Sequence, residues 1–190
     1  MTSLIWHNTL PQAWRPSENT YRGFSDGQNP AFERIAAAPS LTAALRALPH
    51  TFAVRLLHLG EAAASPLLGD TFTAAPPFCR DVYLCLDGVP AIWARSQCPP
   101  DSAFWRDILN CGSRPLGETL FGGLPGLSRS PLQYARPRPG LIPQAPAALL
   151  ARRSFFTRQG QTLGLTECFL PTLAQLAKAA ASAEAVWKQS

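Results

Sequence analysis

The sequence predicts an α+β fold built on a mostly antiparallel β-sheet. Two hairpin patterns and several short helical segments between them lead to this prediction. The first hairpin pattern covers 79–95 and turns at Asp87-Gly88, because Asp-Gly between two apolar runs is the strongest short-range hairpin signal. The second covers 154–170 and turns at Gln159-Gly160. Strands that are joined by such tight turns run antiparallel.

The other elements follow from apolar spacing and from capping residues. Ser40 is a good N-cap for a helix over 41–48, and Asp101 or Ser102 caps a helix over 103–111. The remaining predictions are a strand over 51–59, a turn and a short helical piece over 114–121, and a helix from Pro171 onwards.

We divide the chain into three parts. Residues 1–31 are interpreted as a proline-rich N-terminal extension whose tryptophans pack on the body of the protein. Residues 32–178 form the body, and residues 179–190 an alanine-rich helical tail. Within the body, 122–150 is rich in proline and glycine and poor in periodic features, which is typical of a functional loop such as a lid.

The charged residues indicate the class of ligand. The net charge is +5, and it is carried by 15 arginines and 2 lysines. These residues are scattered, with no run longer than Arg152-Arg153, so no nucleic-acid partner is predicted. A small anionic ligand suits arginine better, because the planar guanidinium pairs with a carboxylate through two hydrogen bonds.

Motifs for cofactors, metals and membranes are not found in the sequence. The five cysteines form no CxxC and the three histidines no ligand-spaced cluster, so no metal site is expected. Neither a dinucleotide-binding nor a Walker glycine pattern occurs, so no cofactor is expected. Apolar runs are too short for membrane insertion or a secretion signal, and unpaired cysteines fit a reducing compartment. We therefore expect a cytoplasmic protein, and a monomer.

Two arginines of the first hairpin are candidate anion-binding residues. With a two-residue turn at Asp87-Gly88, Leu86 lies opposite Val89, and the same register puts Arg80 directly opposite Arg95 on an otherwise apolar face. Facing like charges are destabilising unless an anion lies between or above them. The alternative is that the end of the sheet frays and that both guanidinium groups reach water.

Glu167 is the third residue that the pattern singles out. It shares the face of a predicted strand with Leu163, Leu165 and Phe169. A carboxylate on an apolar stripe is costly unless it is paired or neutralised. The alternative is an edge strand on which Glu167 faces solvent.

Four blocks of the sequence together resemble the signature of the chorismate lyase family. They are RDVYLCLDGVP at 80–90, RPLGETLF at 114–121, RRS at 152–154 and LTECFLP at 165–171. They occur in the order of the family, within roughly residues 38–175. Each block alone is a weak signal, whereas the ordered set is specific.

The resemblance implies a fold and an activity. The fold is an antiparallel sheet with helices on one side and a ligand enclosed under flap loops. The activity is cleavage of chorismate to 4-hydroxybenzoate and pyruvate, a step of ubiquinone biosynthesis that needs no cofactor. The small-molecule partners are then the substrate chorismate and the product 4-hydroxybenzoate.

The resemblance also assigns roles to residues of this sequence. Arg80 pairs with the ring carboxylate, and the backbone amide of Leu116 binds the same group. Glu167 lies by the ring hydroxyl, so that Arg80 and Glu167 are the expected catalytic residues. Leu41 falls where the family usually has Met, which leaves it a backbone or packing role. Arg95 matches a second basic position beside the pocket, where it could stabilise the departing carboxylate.

A non-catalytic function is the alternative. Effector-binding domains of some transcriptional repressors share this kind of fold, so the fold alone does not decide between a catalyst and a ligand-sensing or hydroxybenzoate-binding module. Such domains usually follow an N-terminal helix-turn-helix domain. Residues 1–31 are too short and too rich in proline for one, which favours the enzyme.

Overall fold

The structure is a computed structural model that describes residues 4–10, 29–138, 140–142 and 148–187, with side chains up to residue 179. Its elements in chain order are α1 (Pro30–Ala37), α2 (Leu41–Arg46), β1 (Phe52–Glu61), a 3-10 helix (Pro66–Phe72), β2 (Phe78–Leu86), β3 (Val89–Cys98), α3 (Ala103–Leu109), α4 (Leu116–Phe121), β4 (Ser128–Arg129), β5 (Gln133–Ala135), β6 (Leu150–Arg158), β7 (Gln161–Phe169) and α5 (Pro171–Trp187).

The strands form one seven-stranded sheet in the order β1-β2-β3-β7-β6-β4, and β5 also pairs with β6. Every neighbouring pair is antiparallel. The α-helices pack on one face of this sheet, where two apolar clusters lie side by side. The 3-10 helix and the N-terminal segment with Trp6 cover the other face. The predicted α+β fold with an antiparallel sheet is therefore confirmed.

The local signals predicted most elements well. Both hairpin turns have two consecutive residues with positive φ, 49° and 78° at Asp87-Gly88 and 49° and 76° at Gln159-Gly160, as a tight two-residue turn requires. Ser40 accepts a hydrogen bond from the Ala43 amide and Ser102 one from the Trp105 amide, so both act as N-caps. Of the two N-caps considered for α3, Ser102 is the one used.

The register of the first hairpin differs from the prediction. Leu86 lies opposite Val89 as expected, but Leu84 lies opposite Ile92, because a bulge leaves Ala91 as an extra residue in β3. The carbonyl of Ala91 instead accepts a hydrogen bond from the Leu170 amide, 3.0 Å away. A shift by one residue moves every later side chain to the opposite face of the sheet. The predicted facing of Arg80 and Arg95 is therefore wrong.

The N- and C-terminal parts are described incompletely. In the N-terminal extension, His7 bridges to Tyr134, and Trp6 packs against the guanidinium of Arg153 at 4.1 Å. The second tryptophan of the extension lies outside the described residues, and so do residues 139 and 143–147 of the segment 122–150 that is predicted to be a loop. The boundary predicted at residue 31 falls inside α1, and α5 continues across the boundary predicted at residue 178. None of the described helices is long and apolar enough to cross a membrane.

We expect the cysteines to be unreactive in the folded protein. All five are buried free thiols. Burial raises the pKa of Cys79 to about 11 and that of Cys98 to about 12, and it also raises the pKa of Cys85 and Cys168. Because the thiolate is the reactive form, a thiol reagent at pH 8 should modify the native protein slowly. Titration after denaturation without reductant should then count all five thiols, and a lower count would reveal a disulfide.

Candidate functional site

A cavity lies on the helical face of the sheet and takes its lining from both apolar clusters of that face. The sheet supplies its floor, and the ends of α2 and α4 supply its walls. The lining residues are Pro39, Leu41, Thr42, Val54, Arg80, Val82, Leu84, Ala94, Ser96, Pro115, Leu116, Gly117, Phe121, Arg129, Arg152, Leu165 and Glu167. Most of the lining is apolar, and its four ionisable groups are three arginines and one glutamate. This composition suits a small, partly apolar anion.

Arg80 is a buried cation with an unused hydrogen-bond donor. It projects from β2 into the cavity and is only 2% exposed. One terminal nitrogen donates to the carbonyls of Gly112 and Arg114, at 2.7 and 3.1 Å, in the turn between α3 and α4. Its Nε has no hydrogen-bond partner among the described residues, and burial lowers the pKa of its guanidinium. A buried donor without a partner is destabilising, and a bound carboxylate would satisfy it.

Glu167 forms a buried ion pair with Arg152. The two residues lie opposite each other on β7 and β6, and the Arg152 Nε donates to the carboxylate at 2.5 Å. Another nitrogen of Arg152 donates to the carbonyls of Ala36 and Ala38 at the end of α1. Because β7 lies between β3 and β6, the alternative of an edge-strand glutamate facing solvent is wrong. The expectation that this carboxylate needs a partner is confirmed, with Arg152 as the partner.

Two helix N-termini border the cavity. α2 begins at Leu41 and α4 begins at Leu116, and both residues are part of the lining. The first amides of a helix lack partners within that helix and carry partial positive charge, which favours anions. The two helices approach closely, since a Cβ at Gly117 would lie 2.8 Å from the Thr42 Oγ1. The glycine of the Pro-Leu-Gly turn therefore allows α4 to begin beside α2.

Arg129 is a lining residue that the sequence reasoning missed. It belongs to β4, a two-residue strand inside the long segment that the sequence predicts to be a loop. Two residues carry too little periodicity to be recognised as a strand. The residues around it, Leu127-Ser128-Arg129-Ser130, show no apolar–polar alternation that would indicate a strand.

Arg95 does not line the cavity. The bulge at Ala91 places its side chain on the opposite face, where its Nε and one terminal nitrogen donate to the two carboxylate oxygens of Asp81, each at 2.6 Å. Its third nitrogen donates to the carbonyl of Ala63. The structure therefore places Arg80, Glu167, Leu41 and Leu116 together around the cavity and separates Arg95 from them.

The described residues offer no metal site to this cavity. No group of three or more His, Cys, Asp or Glu side chains in the described part of the chain is arranged so that it could hold a metal ion. The cavity itself contributes one carboxylate, and that carboxylate is already paired with Arg152.

Comparison with known proteins identifies relatives over most of the chain. A probable chorismate pyruvate-lyase of Aromatoleum aromaticum is 36% identical over 157 residues, which cover 72% of this chain and 82% of that protein. A probable chorismate pyruvate-lyase of Bordetella pertussis is 37% identical over 158 residues, which cover 74% of this chain and 81% of that protein. A probable chorismate pyruvate-lyase of Shewanella loihica is 34% identical over 159 residues, which cover 78% of this chain and 83% of that protein.

A family model described as chorismate lyase matches residues 32–179. This match spans every lining residue of the cavity. With the relatives above, it shows that the chain belongs to the chorismate lyase family.

Proposed function

We propose that this protein is a chorismate pyruvate-lyase, which cleaves chorismate to 4-hydroxybenzoate and pyruvate in the cytoplasm without a cofactor. We also propose that the product serves ubiquinone biosynthesis. The observation that carries the proposal is the charge of the cavity, where the buried Arg80 and the half-buried Arg129 have no salt-bridge partner among the described residues. Chorismate is a dianion with an apolar ring, so its charge and polarity match this lining.

The proposed reaction needs little beyond orientation and charge stabilisation. The ring carbon that bears the hydroxyl loses its proton, and the electrons of that C–H bond complete the aromatic ring. The bond between the neighbouring carbon and the ether oxygen breaks, and its electron pair stays on the oxygen of the enolpyruvate. The released proton balances that charge, and enolpyruvate tautomerises to pyruvate. Because aromaticity drives the step, positioning and electrostatics suffice for catalysis.

The residues around the cavity have separate roles in this proposal. Arg80, with its unused Nε, binds the ring carboxylate together with the backbone amide of Leu116. It thereby draws electron density toward that end of the ring. Glu167 lies by the ring hydroxyl, where its carboxylate, oriented by Arg152, can accept the proton of the neighbouring C–H bond. Leu41 contributes packing and the start of α2.

The direct test is product formation by the purified protein. Incubation with chorismate should release equal amounts of pyruvate and 4-hydroxybenzoate, which are measured by coupled reduction of pyruvate and by chromatography. Prior treatment with a chelator, followed by gel filtration, should leave the rate unchanged. Activity lost with the chelator and restored by a divalent ion would contradict the cofactor-independent mechanism. Binding of 4-hydroxybenzoate without any release of pyruvate would instead support the non-catalytic alternative.

A further inference from the structure

Arg129 lies on the cavity, and the groups that accept its hydrogen bonds are neutral. Its Nε donates to the Ser154 Oγ at 3.1 Å, and one terminal nitrogen donates to the Pro39 carbonyl at 2.7 Å. Its guanidinium carbon lies 5.0 and 5.2 Å from the ring centroids of Phe121 and Phe156. No carboxylate of the described residues lies within salt-bridge distance of it. Burial lowers the pKa of Arg129, which indicates that its charge is poorly solvated.

Arg129 and Arg80 lie at opposite ends of the cavity floor. The strand register aligns Arg80 of β2, Ser96 of β3, Leu165 of β7 and Ser154 of β6 in one row across the sheet. Three strand spacings separate the ends of this row, or about 14 Å between backbones. Arg80 projects from one end, and the guanidinium of Arg129 is bonded to Ser154 at the other. A ligand between them therefore meets a cation at each end.

The charge of the lining calls for two anionic groups. Because Arg152 and Glu167 pair with each other, Arg80 and Arg129 remain without a salt bridge of their own in the described part of the chain. A charge withdrawn from water without a partner is destabilising, and this holds fully for the buried Arg80 and in part for the half-buried Arg129. A ligand with two carboxylates therefore fits this cavity better than one with a single carboxylate.

The geometry of chorismate assigns its two carboxylates to the two ends. One is attached to the ring, and the other belongs to the enolpyruvyl group on the carbon next to the one that bears the hydroxyl. With the ring carboxylate on Arg80 and the hydroxyl by Glu167, the second carboxylate points toward the β6 and β4 side of the floor. Arg129 is the uncompensated cation of the described lining on that side.

We propose that Arg129 forms a second carboxylate subsite, which binds the enolpyruvyl carboxylate of the substrate and is left empty by the product. This inference rests on the proposed function for the identity of the ligand. It makes Arg129 the residue that distinguishes a dicarboxylate from a monocarboxylate. It also gives the departing pyruvate the cationic partner that the sequence assigned to Arg95.

The test compares two ligands by calorimetry, independently of turnover. One is 4-hydroxybenzoate, and the other is 3-(carboxymethoxy)-4-hydroxybenzoate, which carries a second carboxylate on an ether beside the hydroxyl. In R129Q, the affinity for the dicarboxylate should fall by about 10- to 100-fold, the range expected for a lost charge-assisted hydrogen bond. The affinity for 4-hydroxybenzoate should change by less than about threefold, since that ligand makes no contact with Arg129.

R158Q is the matched control. Arg158 also lies at the end of a strand, donates to a proline carbonyl (Pro125, 3.0 Å) and stacks on a phenylalanine (Phe104, 4.3 Å), but it does not line the cavity. R158Q removes one positive charge, as R129Q does. The affinities for 4-hydroxybenzoate and for the dicarboxylate should nevertheless stay at the wild-type values. R129K retains the charge but not the planar guanidinium, so it should lose less affinity for the dicarboxylate than R129Q. If R129Q does not fold, R129K takes its place in the comparison of the two ligands.

Two results would overturn the subsite. One is an unchanged dicarboxylate affinity in both variants of Arg129, and the other is an equal loss of both ligands. The proposed function would fail in a different experiment, in which the wild-type protein releases no pyruvate from chorismate. The comparison of the two ligands would still decide the role of Arg129 in that case.

Discussion

Replacing Arg80 by Met is expected to remove most of the binding of 4-hydroxybenzoate. The wild-type protein should melt at a higher temperature when this ligand is added, because a ligand that binds only the native state stabilises it. Removing one partner of a buried charge pair weakens binding by about 2–5 kcal/mol, or about 30- to 5,000-fold. The shift in melting temperature should therefore nearly vanish at ligand concentrations that saturate the wild type, and chorismate turnover should fall with it.

Without ligand, R80M should be about as stable as the wild type. Met fills much of the space of the arginine stem and removes a charge that has no carboxylate partner in the described structure, which offsets the loss of the bonds to Gly112 and Arg114. R114M is the matched control, because the Arg114 side chain is exposed and only its carbonyl contacts Arg80. A full ligand-induced shift in R80M would show that Arg80 does not bind the carboxylate.

The signals that predicted the fold are local. The turn at Asp87-Gly88 requires two residues with positive φ, and the caps at Ser40 and Ser102 each satisfy an amide within three residues along the chain. Such signals depend on a few neighbouring residues and can be recognised without knowing the fold. The Glu167 carboxylate was equally recognisable, because a charge on an apolar stripe needs a partner wherever the strand lies.

The register of the hairpin depends on contacts distant in sequence. The bulge at Ala91 occurs where its carbonyl bonds the Leu170 amide, nearly 80 residues away in the chain. Nothing between residues 79 and 95 specifies that bond, so counting from the turn gave the wrong neighbour for Arg80. The same bulge directs Arg95 toward Asp81, a buried pair that counting alone could not place.

The charge partners within the cavity were also beyond local reasoning. Arg152 belongs to a block that resembles the family signature, but no local pattern indicates that it orients Glu167 and contacts two carbonyls at the end of α1. Arg129 lies in a two-residue strand that only pairing with β6 defines. Both arginines reach the cavity because β7 pairs with β3 on one side and with β6 on the other, an arrangement of the sheet that the hairpin signals leave open.

Replacing Glu167 by Gln is expected to lower turnover far more than it weakens product binding. The amide retains the size of the side chain and an oxygen that can accept the hydrogen bond from the Arg152 Nε, but it cannot accept a proton. Loss of a general base typically slows a reaction by about 10²–10⁴-fold. The affinity for 4-hydroxybenzoate should fall by less than about tenfold, because one hydrogen bond to the hydroxyl is weakened rather than a charge pair removed.

The matched control for this substitution is E118Q. Glu118 also pairs with an arginine, Arg46 at 2.7 Å, but the two side chains are 47% and 53% exposed and lie outside the cavity lining. Breaking an exposed pair changes stability by about 0–1 kcal/mol, so E118Q should retain turnover and melt near the wild-type temperature. E167Q should melt lower, because the buried charge of Arg152 loses its counterion.

The loss of turnover in E167Q, compared with its loss of affinity for 4-hydroxybenzoate, identifies the role of the carboxylate. An interaction made only in the transition state lowers turnover without an equal loss of ground-state binding. Single-turnover rates of chorismate cleavage and calorimetric titration with 4-hydroxybenzoate measure the two quantities separately, so slow product release cannot hide a slower chemical step. Equal losses in rate and affinity would reduce Glu167 to a binding residue. The proton would then have to leave the ring without this carboxylate, and charge stabilisation by Arg80 and Arg129 would carry the catalysis.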